Sequence, residues 1–311
     1  MSTLHVLMPP LSCINDVPAF QHWLRRGDRL PDLQNARTAV LRERFQFTAG
    51  QIPAAALRHH CHASDAANDT WVCADPAYVR SEATGARLLA CPVDGLSGAD
   101  ADELAAALRP LFDDMETALV VDTPSAWSVR LASDTPAADF TDAADALGAS
   151  LIDVLPEGDA GRAWRRLFND AQILLHAPHP VNTRRVAAGK VPVNALWFWG
   201  RGRLPDSVET GLQCVASADD VLRGLARMAG AVRLEPSREA METASESGDA
   251  LLDLDMPGHS DVTGWLAPFE CWLREHRFDG ITLVFASGER FRLRHAHRLR
   301  FWVRRRDLPT P

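Results

Sequence analysis

Strand and helix patterns alternate near both ends of this 311-residue chain, but between them lies a segment in which strands follow one another in pairs. That interruption limits the fold more than any other feature. LHVLM at 4 to 8 is a short apolar run halted by Pro9-Pro10, as a buried strand ending in a turn would be. Phe20, Trp23 and Leu24 then recur at i, i+3 and i+4, so a helix follows. From 211 onward GLQCVAS, AVRL, LLDLD and ITLVFASG read as strands, with ADDVLRGLARMAG and VTGWLAPFECWLREH as helices among them. Strand and helix in turn predict a sheet covered by helices. In the middle, WVCADPAYVR, ARLLACPVDG, ADADELAAALRPLF, TALVVD and WSVRLA read as ββαββ. GRAWRRLFNDAQILLH closes that unit, with Trp164, Leu167, Phe168, Ala171, Leu174 and Leu175 on one helical face. The expected fold is therefore α/β, a core sheet flanked by helices from 1–70 and 185–311, with an inserted α+β subdomain at 71–184.

Hydrophobic residues at 46% and charged residues at 24% give the balance of a chain that buries a core. The six cysteines are scattered without a CxxC, which argues for reduced, buried thiols rather than a zinc ribbon or disulfide framework. No stretch of 18 apolar residues and no basic, apolar leader occurs, so a cytoplasmic protein without membrane contact is expected. The net charge of −8 disfavours polyanions, yet residues 287–306 hold eight arginines and one glutamate. There Arg290, Arg292 and Arg294 alternate with Phe291, Leu293 and His295, which predicts a half-buried hairpin strand with arginines along a sheet edge; HRLRFW repeats the pattern. The alternative is a nucleic-acid-binding regulator using these arginines with Phe301 and Trp302; the overall acidity and the lack of a nucleic-acid module count against it.

HPVNTRRVAAGKVPVNALWFWGRG, residues 179–202, concentrates the candidate binding residues. Asn182 and Asn194 each follow a proline by two residues and suit turns, and Trp197 and Trp199 would share one face of a strand. A second reading is an anion pocket: Arg184 and Arg185 can grip phosphate or carboxylate bidentately, and Gly200 and Gly202 let backbone approach a ligand. The candidate ligand set is Asn182, Arg184, Arg185, Asn194, Trp199, Gly200 and Gly202, with Lys190 and Arg201 adding positive potential. His176 and His179 are separated by Pro178, which predicts a helix end rather than a zinc pair. His59, His60 and His62 lie in HHCHASDAAND, read as loop, with no second pair to complete four zinc ligands.

The order of WVCADPAYVR, DGLSGADADELAAAL, HPVNTRRVAAGKVPVNALWFWGRG, LQCVASADDVLRGLARMAG and LLDLDMPGHS resembles the archaeal-type cofactor-independent phosphoglycerate mutases of the alkaline-phosphatase superfamily. It is similar too to a bacterial offshoot of that group, the RpfE-type regulatory proteins. The resemblance implies an alkaline-phosphatase-like core sheet and, for an active enzyme, two divalent ions on Asp and His ligands with a transiently phosphorylated Ser or Thr. Asp255 and His259 match one ligand pair, either retained or vestigial. The ligand after the first strand is replaced by Met8-Pro9-Pro10-Leu11, and the later Asp-His pair by Val284-Phe285-Ala286-Ser287-Gly288. Ser64, Thr38 and Thr48 are the nucleophile candidates.

These losses predict a catalytically degenerate protein with a regulatory or ligand-sensing role. It would need no cofactor and would bind a small phosphorylated or carboxylated metabolite in the cleft between core and insert, with a protein partner as a further expectation. The alternative is an active phosphatase or phosphoglycerate mutase holding manganese or zinc, with Asp16, Asp28 or Asp32 and His295 or His297 in place of the missing ligands.

Overall fold

A computed structural model describes residues 2–300 apart from 15–16, 64, 67, 84, 114–116, 133–134, 136, 245–247 and 256–261. Its strands are β1 Thr3–Met8, β2 Asp28–Leu30, β3 Phe45–Gln46, β4 Thr70–Glu82, β5 Gly85–Ala90, β6 Ala118–Thr123, β7 Ala126–Leu131, β8 Ala195–Gly202, β9 Glu209–Thr210, β10 Cys214–Ala216, β11 Val232–Leu234, β12 Ala250–Asp253, β13 Gly280–Phe285 and β14 Arg290–Leu293. The helices are α1 Pro18–Arg26, α2 Ala36–Arg44, α3 Ala54–His62, α4 Gly98–Asp113, α5 Ala143–Ala146, α6 Leu151–Val154, α7 Gly158–His176, α8 Pro180–Ala187, α9 Asp220–Met228, α10 Arg238–Ala244 and α11 Leu266–Arg274. Two compact units emerge, Met1–Thr48 with Asp206–Pro311, and Ala49–Pro205.

The first unit is built on a seven-stranded sheet ordered β11-β10-β12-β1-β13-β14-β2. The five strands from β11 to β13 are parallel, and β14 and β2 run antiparallel to their neighbours. Parallel strands need both faces covered, and Leu4, Val6, Ile281, Leu283, Leu251 and Leu252 are all at or below 1% exposure. Asp219 caps α9 by accepting from the Leu222 amide at 2.7 Å, and Gly230 leaves that helix with φ +72°, as the sequence predicts. On α11, Phe269 and Trp272 turn inward, and Phe269 stacks on Trp23 of α1 at 6.0 Å.

The basic stretch departs from expectation. Phe291 and Leu293 are buried as alternation requires, but β14 is an interior strand flanked by β13 and β2. Beyond β14, His295–Leu299 forms a 3₁₀ helix where the sequence suggested that the alternating strand pattern repeats. The amides of His297 and Arg300 donate to the carbonyls of Arg294 and His297, which satisfies the backbone locally. Phe301 and Trp302 lie outside the described residues.

The second unit is an antiparallel sheet ordered β5-β4-β7-β6, with β8 also paired to β4. The thirteen residues of β4 serve several partners, β7 through Thr70–Cys73, β5 through Tyr78–Glu82 and β8 along Trp71–Ala77. The apolar faces of α4 and α7 complete the core; on α7 the expected face is buried except Leu174, which is 40% exposed. The unit reaches beyond 71–184 on both sides because β8 completes the sheet and α3 packs on β4 and β8. That packing requires glycine: a Cβ on Gly202 would lie 2.4 Å from Pro53 Cβ, and one on Gly200 would lie 2.8 Å from Ala54 Cβ. His59 to His62 therefore belong to a helix, not to the loop that their sequence suggested.

All six cysteines are free thiols; Cys73 and Cys214 are buried, whereas Cys13 is exposed and the others are half-buried. Among the described residues no helix is long and apolar enough to cross a membrane.

Candidate functional site

In an open parallel sheet, chemistry is usually found beyond the carboxyl ends of the strands. There, in the first unit, three carboxylates converge. Asp253 is the last residue of β12, Asp255 follows two residues later, and Asp219 stands where the chain leaves β10 for α9. Into their midst α2 projects Arg37 from its first turn. Its Nη1 and Nη2 donate to the two oxygens of Asp253 at 3.1 and 2.8 Å, a bidentate pair. Asp219 Oδ2 lies 3.5 Å and Asp255 Oδ2 3.9 Å from the same guanidinium. Burial pulls the Arg37 pKa down, but the three carboxylates together hold it above its ordinary value. Burial, with Asp253 nearby, raises that of Asp255, against the pull of Arg37.

These residues do not fit a divalent ion. Asp253 is wholly buried, and its oxygens also accept from Ser217 Oγ at 2.7 Å and from the Asp255 amide at 3.2 Å. Asp219 Oδ1 is spent on the α9 cap. A metal ion could enter only by displacing the guanidinium. The other expected ligand positions offer no replacement: Met8, Leu11, Val284 and Phe285 are buried apolar groups, and Ser287 accepts from the Leu11 amide and donates to Glu289. Asp28 pairs with Arg300, Asp32 with Arg29, and His295 is hydrogen-bonded to the Leu273 carbonyl, so none of these supplements the cluster. His259, Asp16 and Ser64 lie outside the described residues.

The stretch 179–202 falls into two parts. His179 caps α8 by accepting from the Val181 amide, so Asn182 sits in a helix rather than a turn. Its Nδ2 donates to the carbonyls of Leu175 and Val193 at 3.2 and 2.8 Å, while its Oδ1 accepts from the Val193 amide. Arg185 is only 4% exposed, and its guanidinium donates to the carbonyls of Val191, Gly95 and Asp94 at 2.8, 3.2 and 2.8 Å. Exposed Arg184 pairs with Asp100 and Glu103. In the second part, Asn194 exchanges two hydrogen bonds with the Val79 backbone at 2.7 and 2.8 Å, extending the pairing of β8 with β4 by a side chain. The structure thus joins Asn182 and Arg185 around one chain reversal and aligns Trp199, Gly200 and Gly202 on β8 with Asn194 just before it.

Sequence reasoning missed a second buried guanidinium. Asp75 on β4, 2% exposed, accepts from both terminal nitrogens of Arg58 at 2.9 and 2.8 Å, from the Trp127 amide at 3.2 Å and from Trp199 Nε1 at 2.8 Å. Beside it His59 is held between Asp122 at 2.6 Å and Asp65 at 2.9 Å and stacks on Trp71. Burial works against the imidazolium, but the two carboxylates outweigh it and raise the His59 pKa. The only signal was an acid inside an apolar strand, WVCADPAYV, which has to find a partner.

No family model matches the chain. A 91-residue segment is 40% identical to the 2,3-bisphosphoglycerate-independent phosphoglycerate mutase of Methanothrix thermoacetophila. It is 37% identical to a protein of Geobacter sulfurreducens named "Probable 2,3-bisphosphoglycerate-independent phosphoglycerate mutase". Each match spans 28% of this chain and 23% of the relative's length. The PH0037 protein of Pyrococcus horikoshii superposes over 94% of this chain and 86% of its own, with a TM-score of 0.50 at 12% identity. A segment of the chain is thus related to the 2,3-bisphosphoglycerate-independent phosphoglycerate mutases, and its fold, an α/β core with an inserted α+β unit, is similar to that of the PH0037 protein.

Proposed function

We propose that this protein is a phosphoglycerate-mutase-like chain of the RpfE type that acts in the cytoplasm by binding rather than by metal-dependent phosphoryl transfer. It would be a regulatory or ligand-sensing protein that responds to a phosphorylated or carboxylated metabolite, or to a protein partner that carries such groups. The observation that carries this reading is Arg37 lodged among Asp219, Asp253 and Asp255. In metal-assisted phosphoryl transfer the ions neutralise the moving phosphoryl group and activate the nucleophile. A guanidinium supplies a single fixed charge and has no open coordination position at which a water or hydroxyl could be bound and ionised. Asp253 is saturated by Arg37 and Ser217, so the buried carboxylate at the centre of the cluster is committed to holding structure together.

The test is calorimetric titration of chelator-stripped protein with manganese and zinc, beside an assay for conversion of 3-phosphoglycerate. Neither saturable binding at the carboxylates nor turnover is expected. Stoichiometric binding lost in Asp253→Asn, together with turnover, would overturn the reading.

A further inference from the structure

If the arginines of 179–202 are committed to the protein's own carbonyls and acids, an anionic ligand has to be met elsewhere. At the opposite edge of the core sheet, where Leu293 of β14 registers with Ile281 near the start of β13, lies a cavity of about 160 Å³. It is remote from the carboxyl edge that holds Arg37. One wall is apolar: Trp23, Leu273 and Leu293, with Trp23 fixed by its stack on Phe269. The rim carries Arg26, Arg274, Arg294 and Arg298 against a single acid, Glu270. Among the described residues the guanidinium groups of Arg294 and Arg298 have no hydrogen-bond or ion-pair partner, unlike those of Arg37, Arg58, Arg184 and Arg185. His297, also on the wall and 5% exposed, has a buried Nδ1 without a partner, which is costly unless something supplies one.

We propose that this cavity is a binding site for a small amphipathic anion, an organic phosphate or carboxylate with a compact apolar body of about one ring. The apolar body would lie against Trp23, Leu273 and Leu293, and the anionic head would be held by Arg294 and Arg298 in charge-assisted hydrogen bonds. The size is adequate, since an engineered apolar cavity of about 150 Å³ admits benzene. The site rests on the view that the protein works by binding, but its test does not depend on metal chemistry.

Phenyl phosphate serves as the probe in calorimetry, with inorganic phosphate and benzyl alcohol as the two half-ligands and thermal melts to verify folding of each variant. Phenyl phosphate should bind the whole protein one to one and more tightly than either half-ligand. Arg294→Gln/Arg298→Gln should weaken it about tenfold or more while leaving the melting temperature in place, the loss expected for one strong charged contact. Binding of phenyl phosphate no tighter than inorganic phosphate, binding unchanged in the double variant, or no saturable binding at all would each overturn the site. Any of these could occur with the metal titration still silent, so the two proposals fail separately.

Discussion

Arg37 and Arg58 present the same bidentate grip on a buried aspartate in opposite electrostatic settings. Around Arg58 one carboxylate, Asp75, meets a guanidinium and two neutral donors, Trp127 N and Trp199 Nε1, so the charges cancel and every lone pair is used. Around Arg37 three carboxylates face one guanidinium. The first is the arrangement a strand needs when it buries an acid. The second has more negative charge than its one cation offsets, and it is partly open to solvent, with Asp219 and Asp255 each about a quarter exposed.

The sharpest way to break the comparison is to remove each guanidinium. Arg58→Ala should destabilise the protein by about 3–5 kcal/mol in denaturant unfolding, because Asp75 is left charged and buried. Manganese should not restore it. Arg37→Ala should cost less, about 2 kcal/mol, since its side chain is 29% exposed and solvent shares the load. Here millimolar manganese should raise the melting temperature in a concentration-dependent way, by linkage of binding to folding, whereas wild type should be indifferent. If manganese fails to stabilise Arg37→Ala, the three carboxylates do not make a cation site even without the guanidinium.

His59 gives the smallest and most graded effect. Its folded pKa is raised, so the stabilisation is complete below the unfolded value of about 6.5 and is lost as pH rises through the folded value, at about 1.4 kcal/mol per unit of displacement. Unfolding measured from pH 6 upward should show this decline, and His59→Gln should flatten it. A stability that rises across the same range would contradict the assigned imidazolium between Asp65 and Asp122.

Much of the frame was legible because periodicity is local. LHVLM, LLDLD and ITLVF are strands as read, which the fold sets side by side, and WVCADPAYVR pairs as an antiparallel strand. What was hidden depends on distance or on ambiguous local cues. RTAVLRERF reads as a helix and is one, yet nothing within it shows that Arg37 meets an aspartate 216 positions away. Pro180 suggested a turn around Asn182, although proline is equally at home in the first turn of a helix, which is where it lies. Arg184 and Arg185 look alike in sequence; only the fold makes one an exposed ion pair and the other a buried clasp on three carbonyls. The sheet position of β14 was misread because an alternating pattern shows which face is buried but not whether a neighbour lies on each side.

The central place of β1 also governs the order in which the protein can be completed during synthesis. Leu4 aligns with Ala250 on one side and Ile281 on the other, so β1, once made, waits for its partners through roughly 10 to 50 s of translation. The unit 49–205 has every strand partner within itself and is fully made before Ala250 appears. The inserted unit can thus pair all its strands before the last strands of the core sheet that surrounds it in sequence have been made.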